Sequence, residues 1–209
     1  MNSYSQFGED KRVDTIFRAH GCDPQQEMRN LLDIGAWGVK DLSNSRAFIE
    51  IGWHATLCEF SPKPIRELII EYAQNDRVRI VQCAVTPVHQ HCLEFRVSDD
   101  ALSATPESAT AGKWATAGGY YGRLFVPTVP IRDIVDQFFG DREIDYLSID
   151  TEGTSVDLLL EFLALGRRPL AIVCEHDSRD QHIWEAAKAA GYGVYDRNET
   201  NVILERIQG

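Results

Sequence analysis

A short turn after the apolar run 30–34 (NLLDI) combines residue types that can hold a ligand. Asp33 lies near the end of the run, and Gly35 and Gly38 follow it. Glycine allows the backbone to turn tightly and to approach a ligand closely, while a carboxylate at a strand end can accept hydrogen bonds. The D-x-G-x-x-G spacing lacks one glycine of the G-x-G-x-x-G pattern, so an ordinary turn without a ligand is the alternative interpretation.

Glu59 lies at the end of the next strand-like run, 55–60. An acidic side chain at this position can accept hydrogen bonds from both hydroxyls of a ribose, although its spacing from Asp33 exceeds the usual ~20 residues. A solvated glutamate at a strand end is the alternative. Together, Asp33 and Glu59 predict a nucleoside site at the carboxyl ends of two neighbouring strands.

A third group of polar residues follows two later strand-like runs. Asp150 comes directly after the run 145–149, and Glu175 and His176 come after 170–174. If these strands are neighbours, the three side chains converge, and two carboxylates with an imidazole suit a divalent metal ion. Two other interpretations stay open: His176 as a general base with an ordinary pKa near 6.5, or a histidine paired with a carboxylate and without chemistry.

Strand-like runs alternate with segments of helical periodicity along the chain. Apolar residues recur at helical spacing in 65–72, 131–138, 156–163 and 183–190. This alternation predicts an α/β fold with buried parallel strands. Near the end, 192–196 and 201–206 are joined by a short polar connector, which allows only an antiparallel pair. We therefore expect a three-layer sandwich around a mostly parallel, seven-stranded sheet with a final antiparallel strand.

Length, composition and charge exclude several classes of protein. The 209 residues favour one domain, 1–209, and 44% hydrophobic with 25% charged residues is typical of a globular chain. A net charge of −11 without a basic run argues against a nucleic-acid partner. The absence of a membrane-length apolar stretch or a signal-like start predicts a cytoplasmic protein without a membrane partner. Five cysteines without a C-x-x-C pair favour reduced thiols.

The segment 98–123 differs from its surroundings in composition. It is rich in Ser, Ala, Thr and Gly and contains the paired residues Tyr120 and Tyr121. Loops of this length are commonly functional. We therefore predict an active-site loop that closes over a ligand.

Three segments carry a resemblance to a known family. Residues 4–10 (YSQFGED), 32–36 (LDIGA) and 144–153 (IDYLSIDTEG) resemble the FkbM-type methyltransferases. The resemblance implies a class I methyltransferase (Rossmann-like) fold with S-adenosylmethionine as the methyl donor. It also implies O-methylation of a hydroxyl on a sugar, polysaccharide or natural-product scaffold. The identity of the acceptor does not follow from it.

The resemblance also implies roles for individual residues. Asp33, Gly35 and Ala36 would line the methionine end of the cofactor, and Glu59 would hold its ribose. Four more residues complete the implied cofactor contacts of the strand ends: Trp37, Gly38, Phe60 and Asp150. An aromatic residue such as Trp37 is equally consistent with a core or loop anchor.

The N-terminal signature is implied to contribute to the cofactor pocket as well. Gln6, Glu9 and Asp10 match it, and the segment 1–29 would fold over the pocket as a cap. Alternatively, Glu9 and Asp10 stabilise the start of a helix near Lys11, because acidic residues favour a helix N-terminus. The two roles are compatible.

The third group is similar to the metal site of catechol-type O-methyltransferases. There, acidic residues at the same two strand ends hold a metal that lowers the pKa of the acceptor hydroxyl. In this chain Asp150, Glu175 and His176 would hold Mg²⁺ or Mn²⁺, but His176 replaces an amide side chain. The expected partner is a small-molecule or saccharide acceptor, and a homo-oligomer stays an open alternative. The competing functions are a methyltransferase-fold binding protein without catalysis and an NAD-dependent oxidoreductase.

Overall fold

The computed structural model describes residues 1–39, 41–97, 122–151 and 153–207. Sixteen helices and strands occur in these residues. The strands are β1 (Asn30–Ile34), β2 (His54–Glu59), β3 (Val78–Gln82), β4 (Ala84–Thr86), β5 (Cys92–Val97), β6 (Gly122–Pro130), β7 (Tyr146–Ile149), β8 (Ala171–Glu175), β9 (Tyr192–Arg197) and β10 (Asn201–Arg206). The helices are α1 (Glu9–Ala19), α2 (Arg46–Glu50), α3 (Pro62–Tyr72), α4 (Ile131–Phe138), α5 (Ser155–Ala164) and α6 (Asp180–Ala189).

A seven-stranded sheet forms the centre, with the strand order β3-β2-β1-β7-β8-β10-β9. The contacts among β3, β2, β1, β7 and β8 are parallel, and β10 runs antiparallel to both β8 and β9. This order confirms the predicted mostly parallel sheet with a final antiparallel strand. The parallel register places the carboxyl ends of β1, β2, β7 and β8 along one edge, where ligands bind in open α/β sheets.

Helices cover both faces of the sheet and complete the predicted sandwich. Alternate residues of each strand point to opposite faces, so Leu31 joins the cluster under α1, α2 and α3 while Leu32 joins that under α4, α5 and α6. α3 begins at Pro62, whose fixed φ suits a first helical turn. No helix in the described ranges is both long and apolar enough to span a bilayer.

A second, three-stranded sheet in the order β4-β6-β5 lies beside the strand ends. The apolar run 78–85, predicted as one strand, divides at Cys83 into β3 of the large sheet and β4 of the small one. β6 was not predicted, because Pro127 and Pro130 interrupt its apolar pattern. Of the predicted loop 98–123, residues 98–121 lie outside the described part, and the last two residues belong to β6.

The N-terminal segment is part of the sandwich. Val13, Ile16 and Phe17 of α1 are fully buried in the cluster that also contains Val173 of β8 and Ile203 of β10. The helix therefore forms a layer on the face of the sheet. Within the predicted cap 1–29, the first turn of α1 lies near the carboxyl edge, because Asn198 and Asn201 there bind the side chain of Glu9.

Candidate functional site

The glycine turn, residues 35–38, is held between two neighbouring strands. Gly35 has φ +80°, and a Cβ atom on it would lie 1.7 Å from the backbone oxygen of Asp150. The carbonyl of Cys58 accepts hydrogen bonds from the backbone N–H groups of Gly35 and Ala36, at 2.9 and 3.1 Å. On the other side, Asp150 N–H donates to the carbonyl of Ile34 at 2.9 Å. The sequence requires glycine here because both φ and the close approach exclude any side chain.

Asp33 is buried directly beside the glycine turn, with 2% of its surface exposed. Its Oδ2 atom has no hydrogen-bond partner among the described residues. Burial raises the pKa of Asp33 from 3.8 to about 6, and the hydroxyls of Ser45 and Ser148 partly oppose this rise. A buried carboxylate oxygen without a donor is costly, so this atom is available to a cationic or N–H donor ligand.

Glu59 is also buried, but its carboxylate is largely occupied. Oε2 accepts the N–H of Trp37 at 3.0 Å, and Oε1 accepts those of Phe60 and Ser61 at 2.7 Å each. Burial raises the pKa of Glu59, and these three hydrogen bonds lower it. A carboxylate has about four acceptor sites, and hydrogen bonds from the described residues use three of them while Glu59 joins the glycine turn to the start of α3.

The aromatic residues near the strand ends face different surroundings. Trp37 is half-buried with φ 47°, a left-handed conformation that is unusual for a bulky residue. With Gly38 it lines a groove of about 520 Å³ along α3. Phe60 stacks on Phe95 of the small sheet, with ring centroids 4.1 Å apart. The ring of Phe60 therefore packs in the core of the small sheet, a contact that the sequence analysis did not foresee.

The carboxylates of the N-terminal signature accept hydrogen bonds from neighbouring residues and from the β9–β10 turn. Asp10 is fully buried and accepts hydrogen bonds from the hydroxyls of Ser3 and Ser5 and from the N–H of Tyr4. Glu9 is fully buried too, and Oε1 accepts from the side-chain amides that lead into β10. Gln6 is exposed. The two carboxylates thus hold the surrounding segments together; both also lie in the first turn of α1, at the helix N-terminus considered for them.

His176 uses both ring nitrogens in hydrogen bonds to the backbone. Nδ1 accepts the N–H of Ser178 at 3.1 Å, and Nε2 lies 3.0 Å from the carbonyl of Glu199. The carbonyl can only accept, so Nε2 carries the proton and Nδ1 supplies its lone pair to Ser178. His176 is 8% exposed and joins the end of β8 to the β9–β10 turn. The interpretation without chemistry expected a carboxylate partner; here the hydrogen-bond partners are backbone groups, and the carboxylate of Asp180 lies 3.9 Å from Nδ1.

Glu175 and Asp177 meet the start of α5. Glu175 Oε2 accepts the hydroxyl of Ser155 at 3.2 Å, and Asp177 Oδ2 accepts the N–H of the same residue at 3.2 Å. Burial raises the pKa of Asp177. Asp177 and Ser178 have φ 46° and 59°, so a left-handed pair turns the chain here. The position of Asp177 at a helix N-terminus appears only in three dimensions.

The residues present do not fit the expected metal site. In the part of the chain that the structure describes, no three His, Cys, Asp or Glu side chains are grouped so that they could hold a metal ion. His176 has no lone pair left for a metal, because Ser178 N–H occupies Nδ1. The described residues therefore do not fit the expected ligand set of Asp150, Glu175 and His176.

Two solved structures share this fold over most of their length. The SAH-bound methyltransferase PaMTH1 of Podospora anserina has a TM-score of 0.51 at 13% identity, covering 98% of this chain and 80% of that one. The METTL16 MTase domain has a TM-score of 0.53 at 10% identity, covering 97% of this chain and 68% of that one. At these identities the likeness shows the class I methyltransferase fold.

Sequence comparison defines the family. No curated protein matches the chain. The model of the methyltransferase FkbM domain matches residues 33–194, a range that begins at the buried Asp33, contains the glycine turn and Glu59, and ends in β9. Since this match covers most of the 209 residues, the chain belongs to the FkbM methyltransferase family.

Proposed function

We propose that the protein binds S-adenosylmethionine at the carboxyl ends of β1, β2 and β7 and transfers its methyl group to a hydroxyl oxygen. The observation that carries the proposal is the buried Oδ2 atom of Asp33, which has no donor among the described residues. The ammonium group of the methionine moiety would supply that donor. The SAH-bound state of PaMTH1, which has the same fold, supports a ligand of this chemistry.

The residues of the strand ends fit such a cofactor in two further ways. Gly35 allows the glycine turn to pack against the backbone oxygen of Asp150, which brings the ends of β1 and β7 together at the proposed site. Glu59 keeps about one acceptor site for a ribose hydroxyl, beside the three backbone N–H groups that it already binds. Asp33 and Glu59 together place negative charge near a cofactor that carries a positive sulfur.

Asp150 is the residue that we assign to the acceptor. Its backbone is fixed on both sides, by the hydrogen bond to Ile34 and by the contact with Gly35. S-adenosylmethionine supplies an electrophilic methyl group, so the protein has to orient the acceptor hydroxyl and accept its proton. The carboxylate of Asp150 would take that proton, because the ring nitrogens of His176 are both engaged by the backbone.

The class of acceptor follows from the family resemblance. We propose a hydroxyl of a sugar, polysaccharide or natural-product scaffold, with O-directed transfer. A small-molecule or saccharide partner agrees with the acidic net charge of −11, which disfavours a polyanionic nucleic acid. A cytoplasmic location remains part of this proposal.

Calorimetric titration with S-adenosylhomocysteine tests the cofactor half of the proposal. We expect micromolar binding to the wild type and a marked loss in Asp33→Asn. Asp145→Asn is the matched control, because it makes the same change at the opposite end of the sheet, where Asp145 pairs with Arg29 at 2.8 Å. Absence of binding to the wild type would overturn the proposal.

Measurement of turnover tests the catalytic half of the proposal. Release of S-adenosylhomocysteine is measured with a panel of hydroxylated acceptors, with and without EDTA. Asp150→Asn should lower turnover by about 10²–10⁴-fold, the usual contribution of a general base, while binding of S-adenosylhomocysteine changes less. Binding without turnover on every acceptor would favour a methyltransferase-fold protein that has lost catalysis.

A further inference from the structure

Two thiols that the proposed reaction does not use lie next to the glycine turn. Cys58 is the residue before Glu59 in β2, and Cys83 lies at the corner between β3 and β4. In the register of these parallel strands, Cys58 pairs with Val81, and the N–H of Cys83 donates to the carbonyl of Glu59 at 3.1 Å. Cys83 therefore lies two residues beyond the position opposite Cys58, and both thiols belong to the same apolar cluster.

The two thiols interact directly. A hydrogen bond with Cys58 lowers the pKa of Cys83, and the same hydrogen bond, together with burial, raises the pKa of Cys58. The thiolate is the nucleophilic form of cysteine, so Cys83 is the reactive member of the pair. Both side chains are buried, at 1% and 3% exposure, which excludes bulky reagents and leaves only small oxidants able to reach them.

We propose that Cys58 and Cys83 form a reversible disulfide with hydrogen peroxide, and that this bond weakens ligand binding at the glycine turn. The second part rests on the proposed function, because it assumes that the turn holds S-adenosylmethionine. The first part, the disulfide itself, stands on the placement of the two thiols alone.

The chemistry balances with one molecule of peroxide. The Cys83 thiolate attacks a peroxide oxygen and breaks the O–O bond, giving a sulfenic acid and a hydroxide that takes up a proton to become water. The sulfur of Cys58 then attacks the sulfenic sulfur, the S–S bond forms, and the S–O bond breaks with release of a second water. The two thiols lose two hydrogens and two electrons in total, and these reduce the peroxide to two waters.

Backbone hydrogen bonds connect the thiol pair to the glycine turn. The carbonyl of Cys58 accepts from Gly35 and Ala36, and the carboxylate of Glu59, the next residue, accepts from Trp37. A disulfide requires an S–S distance of about 2.05 Å and Cβ atoms about 3.8 Å apart, closer than two non-bonded thiols. Because Cys83 lies two residues beyond the position opposite Cys58, we expect the bond to draw the backbone of Cys58 toward it, and with it the acceptor groups that position the turn.

Peptide mapping by mass spectrometry and calorimetry on the same samples test the proposal. The full-length protein is treated with hydrogen peroxide, and S-adenosylhomocysteine is then titrated before and after dithiothreitol. We expect a Cys58–Cys83 peptide, about tenfold weaker binding, within the usual range for coupled sites, and recovery on reduction. Cys83→Ala should bind equally well with and without peroxide. Cys92→Ser, which changes an exposed thiol, should behave as the wild type.

Each of the other outcomes overturns one part of the proposal. If peroxide oxidises the exposed Cys92 while Cys58 and Cys83 stay reduced, there is no disulfide site. If the disulfide forms and affinity is unchanged, the control of binding is wrong. If the reduced wild type does not bind S-adenosylhomocysteine, the proposed function is wrong. The peptide map then still shows whether the disulfide forms. Reversal by dithiothreitol in the wild type keeps the test valid if Cys83→Ala does not fold.

Discussion

The buried carboxyl group of Asp33 makes folding stability depend on pH. Burial raises its pKa from 3.8 to about 6, so the folded state holds the proton more tightly than the unfolded chain does. The stabilisation that this bound proton gives to the folded state is fully present below about pH 4 and is lost as the pH rises to about 6. At about 1.4 kcal/mol for each pH unit, the ionised carboxylate costs the folded state about 3 kcal/mol above pH 6.

Replacing Asp33 with asparagine removes this cost, because asparagine has nearly the same shape and stays neutral. We expect Asp33→Asn to be more stable than the wild type by up to about 3 kcal/mol above pH 6, with the difference vanishing near pH 4. Urea denaturation of the ligand-free protein at several pH values between 4 and 8 measures it. The same substitution should weaken binding of S-adenosylhomocysteine, so stability and ligand affinity move in opposite directions.

Asp145→Asn serves as the control for this experiment. Asp145 pairs with Arg29 and accepts the N–H of Asn30, so its loss should destabilise the protein. A constant difference between Asp33→Asn and the wild type at every pH would show that the carboxyl group of Asp33 does not titrate in this range. A variant less stable than the wild type at pH 8 would refute the reasoning altogether.

Three other substitutions test the site. Glu59→Gln should lower the free energy of unfolding by about 1–3 kcal/mol, because its amide would place an N–H group against backbone N–H donors; an unchanged urea midpoint would contradict this. Gly35→Ala should cost more than about 4 kcal/mol, because the new Cβ would lie 1.7 Å from Asp150 O. Gly21→Ala, also at positive φ but without a neighbour within 4 Å, should cost only about 1–2 kcal/mol, and equal melting temperatures for the two variants would disprove the steric argument. His176→Gln should lower stability by about 1 kcal/mol for each lost hydrogen bond and leave the pH profile of turnover unchanged; loss of one limb of that profile would restore the role of a base.

Local patterns in the sequence determined most of the architecture. Helical spacing placed α3, α4, α5 and α6, because each has one apolar stripe that packs on a sheet. The short polar connector after residue 196 required an antiparallel return, which is seen in β9 and β10. β6 and α2 were missed, since two prolines obscure the first and five residues are too few for a periodic signal in the second.

The strand-end residues that we propose for the cofactor carry a different kind of local signal. A glycine that must adopt positive φ and an acid at a strand end are recorded in the order of residues, as at Gly35, Asp33 and Glu59. What the sequence could not state is how many acceptor sites each acid has left. Within the described ranges, Glu59 uses three of about four on backbone N–H groups, whereas Asp33 keeps one oxygen without a partner.

The sequence by itself determined the α/β class, the family and the positions of the strand-end acids, because these depend on residue type and local periodicity. Tertiary structure alone decided which groups His176 binds, since its partners at Ser178 and Glu199 come from the following turn and from the β9–β10 turn. It likewise brought Cys58 and Cys83 together, because the pairing of β2 with β3 joins residues that are distant along the chain. Hydrogen bonds and strand register are long-range properties, and a single sequence records only the groups that can take part in them.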